Sequence, residues 1–378
     1  KKHKRVRSGW MRRASKLYLK GLNSGKEETI KTFLNLYQNS LNYTISRLWS
    51  EHARGHIKSS TLLDKSFTDD ISERFDITAR LSQCVGKQAK EVVTSQRELS
   101  KKRQRQPKVK SHTAHLDSRF ITIEEFKDDG HFDMVINTAS GLPKMIIPFN
   151  WTSHTNKFRN DGWLLGNSIR MGYDSKGIFI DLIFEKIKPP LKESGNVVGI
   201  DRGYNIMLAV SDGQLIGDGL KATIKKGGKR RKSYHHYIET ELNRYFNKLD
   251  TSNIKLIALE NLKNVKANKR GKFSRNINRL LSFWHYARVG KRLEQRCEEE
   301  GIMLSLKSPS YTSQSCSVCG NIDRRNRKGE KFLCLRCGNI DNADHNASKN
   351  LESLGLAGVY SLRSLPNFED RNKFLCFK

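Results

Sequence analysis

The spacing of apolar and polar positions changes period several times along the chain. SKLYLKGL, residues 15–22, reads as a short strand. A helix follows. Ser24 and Glu27 have capping-box spacing, and apolar residues recur at Ile30, Phe33, Leu34, Tyr37, Leu41, Ile45 and Leu48, one face of a 3.6-residue period. Further polar helices are expected over 60–105, ending in the run KKRQRQPKVK at 101–110. That run reads as a solvated linker or as a phosphate contact. From residue 112 to 187 the period becomes two. RFITIEEF, FDMVINTA, KMIIPFN and GIFIDLIFEK alternate or form short apolar runs, with Ile178, Ile180, Leu182 and Phe184 on one face of the last. NSIRMGY and GIFIDLIF flank Asp-Ser-Lys-Gly, a hairpin signal. The stretch predicts an antiparallel β module. If the strand at 15–22 joins it, the helical block is an insertion.

KIKPPLKESG, 186–195, is a linker, because Pro189 and Pro190 interrupt any ladder. A second pattern then begins. NVVGID is a buried-type strand ending in an acid, and NIMLAVSDGQLIGDG is a hairpin through Ser-Asp-Gly-Gln. After the basic run KKGGKRRK (225–232), a helix carries Tyr237, Ile238, Leu242, Tyr245, Phe246 and Leu249 on one face. IKLIALENL is another apolar strand ending in an acid. A helix over 282–300 places Phe283, Tyr286, Gly290, Leu293 and Cys297 on one stripe, with Gly301 as its stop. IMLSLKSPS is the last strand before a cysteine-rich segment. Strand, hairpin, helix and parallel-type strand make an α/β layout.

Charge narrows the function classes. Lys plus Arg is 70 and Asp plus Glu 39 among 378 residues, a formal balance of +31. That much self-repulsion is best tolerated beside a polyanion, and nucleic acid is the usual one. No run of 18 or more apolar residues appears, so no membrane span or membrane partner is expected, and the basic N-terminus lacks the apolar stretch of a secretory signal. Of seven cysteines, Cys84, Cys297 and Cys376 are isolated, and Cys297 sits on an apolar stripe where it packs. Cys316-x-x-Cys319 and Cys334-x-x-Cys337 form two knuckles, each followed by a glycine (Gly320, Gly338) where the backbone turns sharply. Four thiolates suit closed, tetrahedral, structural Zn2+, and the pattern fits a reducing compartment.

Three acids complete the chemistry. Asp201 ends VVGID, Glu260 ends LIALE, and Asp344 follows the cysteines at the start of a helix. The carboxyl ends of neighbouring strands in an α/β core converge on one sheet edge. Three carboxylates together need compensation, and hard oxygen ligands suit Mg2+. Two such ions about 3.5–4 Å apart serve phosphodiester cleavage. A strongly basic chain with such a site reads as a nuclease or strand-transfer enzyme. Between the knuckles, Arg324, Arg325, Arg327 and Lys328, with Arg336 inside the second knuckle, are candidate nucleic-acid contacts. His235, His236 and His285 read as surface or packed residues.

GIDRGYNIMLAVSDG, IALENL, SPSYTSQSCSVCG and CLRCGNIDNADHNASKNL, in that order, resemble the split RuvC-like nuclease domain of TnpB proteins, transposon-encoded relatives of the compact type V CRISPR effectors. The resemblance is specific over 196–352 and architectural before that. It implies a multidomain α+β chain. An N-terminal wedge β-barrel (1–25 and 108–190) would carry an inserted helical recognition lobe (26–107). An RNase H-like (RuvC) α/β domain (191–310 and 339–378) would carry a four-cysteine, zinc-binding target-nucleic-acid-binding insertion, a zinc ribbon (311–338). It further implies that Asp201, Glu260 and Asp344 are the catalytic Mg2+ ligands, with Asp341 and Asn342 as helix-entry residues, and that NVKANKRGKFSRN (264–276) is a lid. The stretch before the helix at 234–250 is shorter than in many relatives. The implied activity is that of an RNA-guided DNA endonuclease. Its partners would be a guide RNA, double-stranded target DNA bearing a short adjacent motif, and single-stranded DNA at the cleavage site, in the prokaryotic cytoplasm. The alternatives are a guide-RNA-bound DNA-binding repressor, a DNA transposase and a junction resolvase. All three acids are present, which argues against the first. Their order Asp, Glu, Asp differs from the Asp, Asp, Glu of transposases, and the N-terminal half is large and basic for a resolvase.

Overall fold

The computed structural model describes residues 9–51, 65–99, 103–126, 131–138, 142–203, 205–220, 222, 234–262 and 286–362. The basic run 225–232, the expected lid at 264–276, His285 and Cys376 lie outside them. The chain divides into two compact units, Lys1–Ile187 and Lys188–Lys378.

In the first unit, β1 (Trp10–Tyr18) leads to α1 (Ser24–Glu51), α2 (Lys65–Phe75) and α3 (Ala79–Arg97). Then come β2 (His112–Leu116), β3 (Ile121–Glu125), β4 (Met134–Thr138), β5 (Ile146–Phe149), α4 (Ser153–Asn160), β6 (Leu164–Asp174) and β7 (Gly177–Ile187). Strand β1 pairs antiparallel along β7, from Trp10 opposite Ile187 to Tyr18 opposite Phe179, in a sheet of order β1-β7-β6-β2. The three helices therefore fall between two strands of one sheet. β3, β4 and β5 make a second, three-stranded antiparallel sheet. The predicted apolar face of α1 is buried from Ile30 to Leu48, against α3 residues Leu81, Val85, Ala89 and Val93 in the same core. Burying each such side chain contributes about 1.5–3 kcal/mol.

Three local expectations are corrected. Strand β1 lies five residues upstream of the predicted start, because Met11, Ser15 and Leu17 point inward while Arg12, Ala14 and Lys16 point out. The cap of α1 is Asn23, whose Oδ1 accepts the Lys26 amide at 2.8 Å; Glu27 pairs instead with Lys31 one turn on. Helix α4 interrupts the β pattern. Thr152 and Thr155 cap it reciprocally, and its Phe158 stacks on Phe184 with ring centroids 4.9 Å apart. A polar helix eight residues long with one aromatic anchor leaves no readable period.

The second unit continues with β8 (Asn196–Asp201), β9 (Leu208–Val210), β10 (Leu215–Ile216), α5 (Tyr234–Phe246), β11 (Ile254–Glu260), α6 (Tyr286–Glu300) and β12 (Met303–Lys307). The cysteine segment carries β13 (Arg327–Lys328), β14 (Lys331–Leu333) and β15 (Ile340–Asn342), and α7 (Ala343–Leu356) follows. The main sheet has order β10-β9-β8-β11-β12, with β8, β11 and β12 parallel. Strand alternation assigns its two faces. Val198 and Ile200 of β8, with Ile257 and Leu259 of β11, pack in one core with α5 and α6, including Cys297. Ala258, with the partly buried Leu256, packs with Leu351 and Leu354 of α7 on the other face. Gly301, at φ +67°, stops α6 as predicted.

Candidate active site and zinc module

The same alternation places the acids. On β8 the odd positions share a face with Gly199, and on β11 the even positions share a face with Ala258, so Asp201 and Glu260 end their strands on the α7 side. Both lie one residue past the last paired positions, Ile200 and Leu259, of two adjacent parallel strands. Helix α7 crosses this face at very short range. A Cβ on Gly199 would come 1.9 Å from the Ser348 carbonyl oxygen, and one on Gly355 would come 3.1 Å from Ala258 Cβ. Glycine is required at 199, where the helix backbone itself comes this close.

Asn342 caps α7, its Oδ1 accepting the amides of Asp344 at 2.9 Å and His345 at 3.2 Å. Asp344 therefore sits in the first helical turn, where the macrodipole favours a negative charge. Asp341 pairs with Lys349 at 2.9 Å and His345 at 3.0 Å, a structural role at the helix entry. Gly203 packs against the acid: a Cβ there would lie 2.8 Å from Asp344 Oδ2.

The three carboxyls share one electrostatic environment. Burial pushes Asp201 well above the ordinary carboxylate range, and the charges of Glu260 and Asp344 push it the same way. Burial also raises Glu260, against the opposing pull of a hydrogen bond from the Thr312 hydroxyl to its Oε1 at 3.0 Å. Arg202, 8% exposed, donates to the Glu260 main-chain carbonyl. Arg327 of β13 donates its Nη2 to Asp344 Oδ1 at 2.8 Å. Thr312, Arg202 and Arg327 thus fix the acids from three different segments, and the sequence pattern did not single out the first two. Burial first, and then neighbouring carboxylate charge, raises Asp201 and Glu260, and a hard divalent cation is what would offset that charge. Among the described residues, the cysteines are the group of three or more His, Cys, Asp or Glu ligand atoms lying within 4.8 Å of one another, so the carboxylates stand further apart than a closed metal cage.

The four cysteines meet the zinc test. Sγ–Sγ distances are 3.7 Å for Cys316–Cys337 and 3.4 Å for Cys319–Cys334. A tetrahedron with Zn–S of about 2.3 Å has edges of about 3.8 Å. The two knuckles repeat one geometry. The Cys316 amide donates to the Asn321 carbonyl and the Cys334 amide to the Asn339 carbonyl, both at 2.9 Å, while Gly320 and Gly338 turn at φ +66° and +74°. Burial pushes the Cys319 thiol up to about 12. Burial works against the Cys334 thiolate too, yet the amides of Cys337 and Arg336 and the neighbouring thiols bring it down to about 6. Zn2+ would hold all four sulfurs as thiolates.

Two asparagines of α7 join the module to the acid. Asn346 Nδ2 and Asn350 Nδ2 each donate to the Ser315 carbonyl at 2.8 Å, Asn350 also to the Thr312 carbonyl at 2.9 Å, and the Ser317 amide donates to Asn346 Oδ1 at 2.9 Å. Asn342, Asn346 and Asn350 are spaced by four, so one face of α7 both enters at Asp344 and holds the loop into the first knuckle. Of the candidate nucleic-acid contacts, Arg324, Lys328 and Arg336 are exposed, Arg325 pairs with Asp323 at 2.7 Å, and Arg327 is turned onto Asp344.

The chain matches the family described as Cas12f1-like, TNB domain, over residues 286–351. It is 41% identical over 75 residues to a CRISPR-associated endodeoxyribonuclease Cas12f1 of Sulfoacidibacillus thermotolerans, covering 20% of this chain and 18% of that one. A TnpB-like protein of Aquifex aeolicus is 35% identical over 105 residues, 27% of this chain and 34% of its own length. The putative RNA-guided DNA endonuclease InsQ of Escherichia coli is 24% identical over 258 residues, 58% of this chain and 63% of its own. The matched regions thus span less than two thirds of each of these relatives. In fold, the chain is similar to Cas12f1 in a cryo-EM complex with sgRNA and target DNA, at a TM-score of 0.59 and 14% identity over 87% of this chain and 83% of that one. In its ordered motifs and its cysteine module the chain is similar to the TnpB proteins and compact type V effectors, and it shares the multidomain α+β fold of the latter.

Proposed function

We propose that this protein is an RNA-guided DNA endonuclease whose cleavage site is formed by Asp201, Glu260 and Asp344. The observation that carries the reading is their approach from β8, β11 and α7, with Asp201 and Asp344 buried and the charges of Glu260 and Asp344 acting on Asp201. The three side chains would hold two Mg2+ ions. When bound, such ions supply activation of a nucleophile and charge stabilisation on the leaving oxygen of a phosphodiester. Thr312 orients Glu260, Asn342 fixes the helix end that presents Asp344, and Gly203 leaves room for its second oxygen. The zinc module anchors the helix, and exposed Arg324, Lys328 and Arg336 would meet the backbone of single-stranded DNA. Guide pairing would select the site, and the protein would read a short duplex motif beside it.

The relatives named as endonucleases, the structural relative's complex with RNA and DNA, and a balance of +31 support this reading. Among the described residues, no helix is long and apolar enough to cross a membrane. The test is to purify the chain from its host, sequence the RNA that accompanies it, and incubate the complex with plasmids matching that RNA. One abundant RNA species and Mg2+-dependent cutting at the matched site are expected. Nonspecific RNA fragments with no matched cutting would refute the guided reading.

A further inference from the structure

The hairpin of the zinc module reaches the acids through one side chain. Arg327 donates Nη2 to Asp344 Oδ1 at 2.8 Å and Nε to the Gly329 carbonyl at 3.1 Å. Its side chain is 33% exposed and that of Asp344 8%, so the pair lies at the rim of the buried group. Asp344 Oδ2 faces the Gly203 backbone so closely that a Cβ there would lie 2.8 Å away. The guanidinium sits on the other oxygen, Oδ1, so a cation that takes this oxygen must compete with it. A divalent ion at about 2.1 Å from that oxygen and a guanidinium donating to it would repel each other directly. Beside the pair runs an open groove lined by Asn205, Ser313, Gln314, Arg324, Gly329 and Glu330, together with Arg327 itself.

We propose that Arg327 is a stand-in counter-ion, neutralising Asp344 in the cation-free protein and displaced into this groove when a divalent cation binds. Metal loading and the posture of the zinc-module hairpin are then linked. The displaced guanidinium faces the amides of Asn205 and Gln314, the Ser313 hydroxyl and the Glu330 carboxylate, and it is available there to a phosphate. Arg327 acts on the acids as a positioning residue, and its removal has a distinctive sign. A residue that merely supported the site would weaken cation binding when lost. A competitor strengthens it. The inference rests on the reading of Asp201, Glu260 and Asp344 as cation ligands.

The test uses the full zinc-loaded chain without nucleic acid and Mn2+ as the probe, with free Mn2+ read by electron paramagnetic resonance. Arg327→Gln keeps a donor for the Gly329 carbonyl while removing the charge, and one zinc per chain verifies that the module is folded. Mn2+ should bind the Gln variant about three- to tenfold more tightly than wild type, the range for a charged hydrogen bond discounted for partial exposure. Arg327→Lys, which keeps a charge but not the planar fork, should fall between. Unchanged or weaker binding in Arg327→Gln, with binding lost in Asp201→Asn, would overturn the displacement and leave the cation site standing. Binding that Asp201→Asn does not alter would overturn both.

Discussion

Gly199→Ala changes no acid, no cysteine and no charge, yet it should disable the site. The added methyl carbon would lie 1.9 Å from the Ser348 carbonyl oxygen, 2.4 Å from the Glu352 amide nitrogen and 2.8 Å from Leu351 Cβ. Two of these are backbone atoms that no rotamer change can move. Ordinary contact begins near 3.4 Å, so α7 must lift from β8 by about 1.5 Å or the strand must sink. Ser348 is one turn beyond Asp344 on the same helix, so the shift carries Asp344 away from Asp201. Overpacking of this kind costs about 1–3 kcal/mol of stability, and a 1 Å displacement of a reacting group can cost about 100-fold in rate. The assay is single-turnover cleavage by preformed guide–target complexes, with target affinity and zinc content measured in parallel. We expect a rate loss of about 100-fold or more, target binding within about threefold and one zinc per chain. Gly25→Ala is the control, since its Cβ would meet only Asn23 Oδ1 at 3.8 Å. Wild-type cleavage by Gly199→Ala would refute the claim that this close helix–strand contact sets the spacing of the acids.

Other consequences are independent of that contact. Cys316→Ser should lower bound zinc and slow cleavage; full activity without zinc would refute a structural role for the metal. Asn350→Ala removes donors to the Thr312 and Ser315 carbonyls in a buried setting and should cost about 1–3 kcal/mol in thermal or denaturant unfolding. With no divalent cation added, Asp201→Asn should raise the melting temperature at neutral pH. The folded pKa of Asp201 is raised by burial, then by Glu260 and Asp344, so the folded state holds this proton more tightly than the unfolded chain. The ionisation cost is absent below the unfolded value and grows as pH rises through the folded one, so the variant's advantage should vanish on acidification. Each unit of elevation is about 1.4 kcal/mol, and a gain independent of pH would contradict this assignment.

What could be read before the fold was known follows from range. Strands β8 and β11 announce themselves as apolar runs, and their alternation already decides which face Asp201 and Glu260 share. The knuckles are legible because a cation requires four thiolates at fixed local spacing. Strand β1 begins upstream of its sequence signal because Arg12, Arg13 and Lys16 hide a period-two pattern whose inward members include a serine. The pairings Arg327–Asp344, Thr312–Glu260 and Asn350–Ser315 span 17, 52 and 35 residues. No local period records such partners. Arg327 in particular reads in sequence as one cation of a basic loop, and only the hairpin geometry turns it toward an acid.

The most direct test of the central claim is guided cleavage by Asp201→Ala, Glu260→Ala and Asp344→Ala, each compared with wild type at matched occupancy of RNA and target DNA. The account predicts that every one of the three loses Mg2+-dependent cutting while retaining guide and target binding. A variant among them that cuts at the wild-type rate would contradict it.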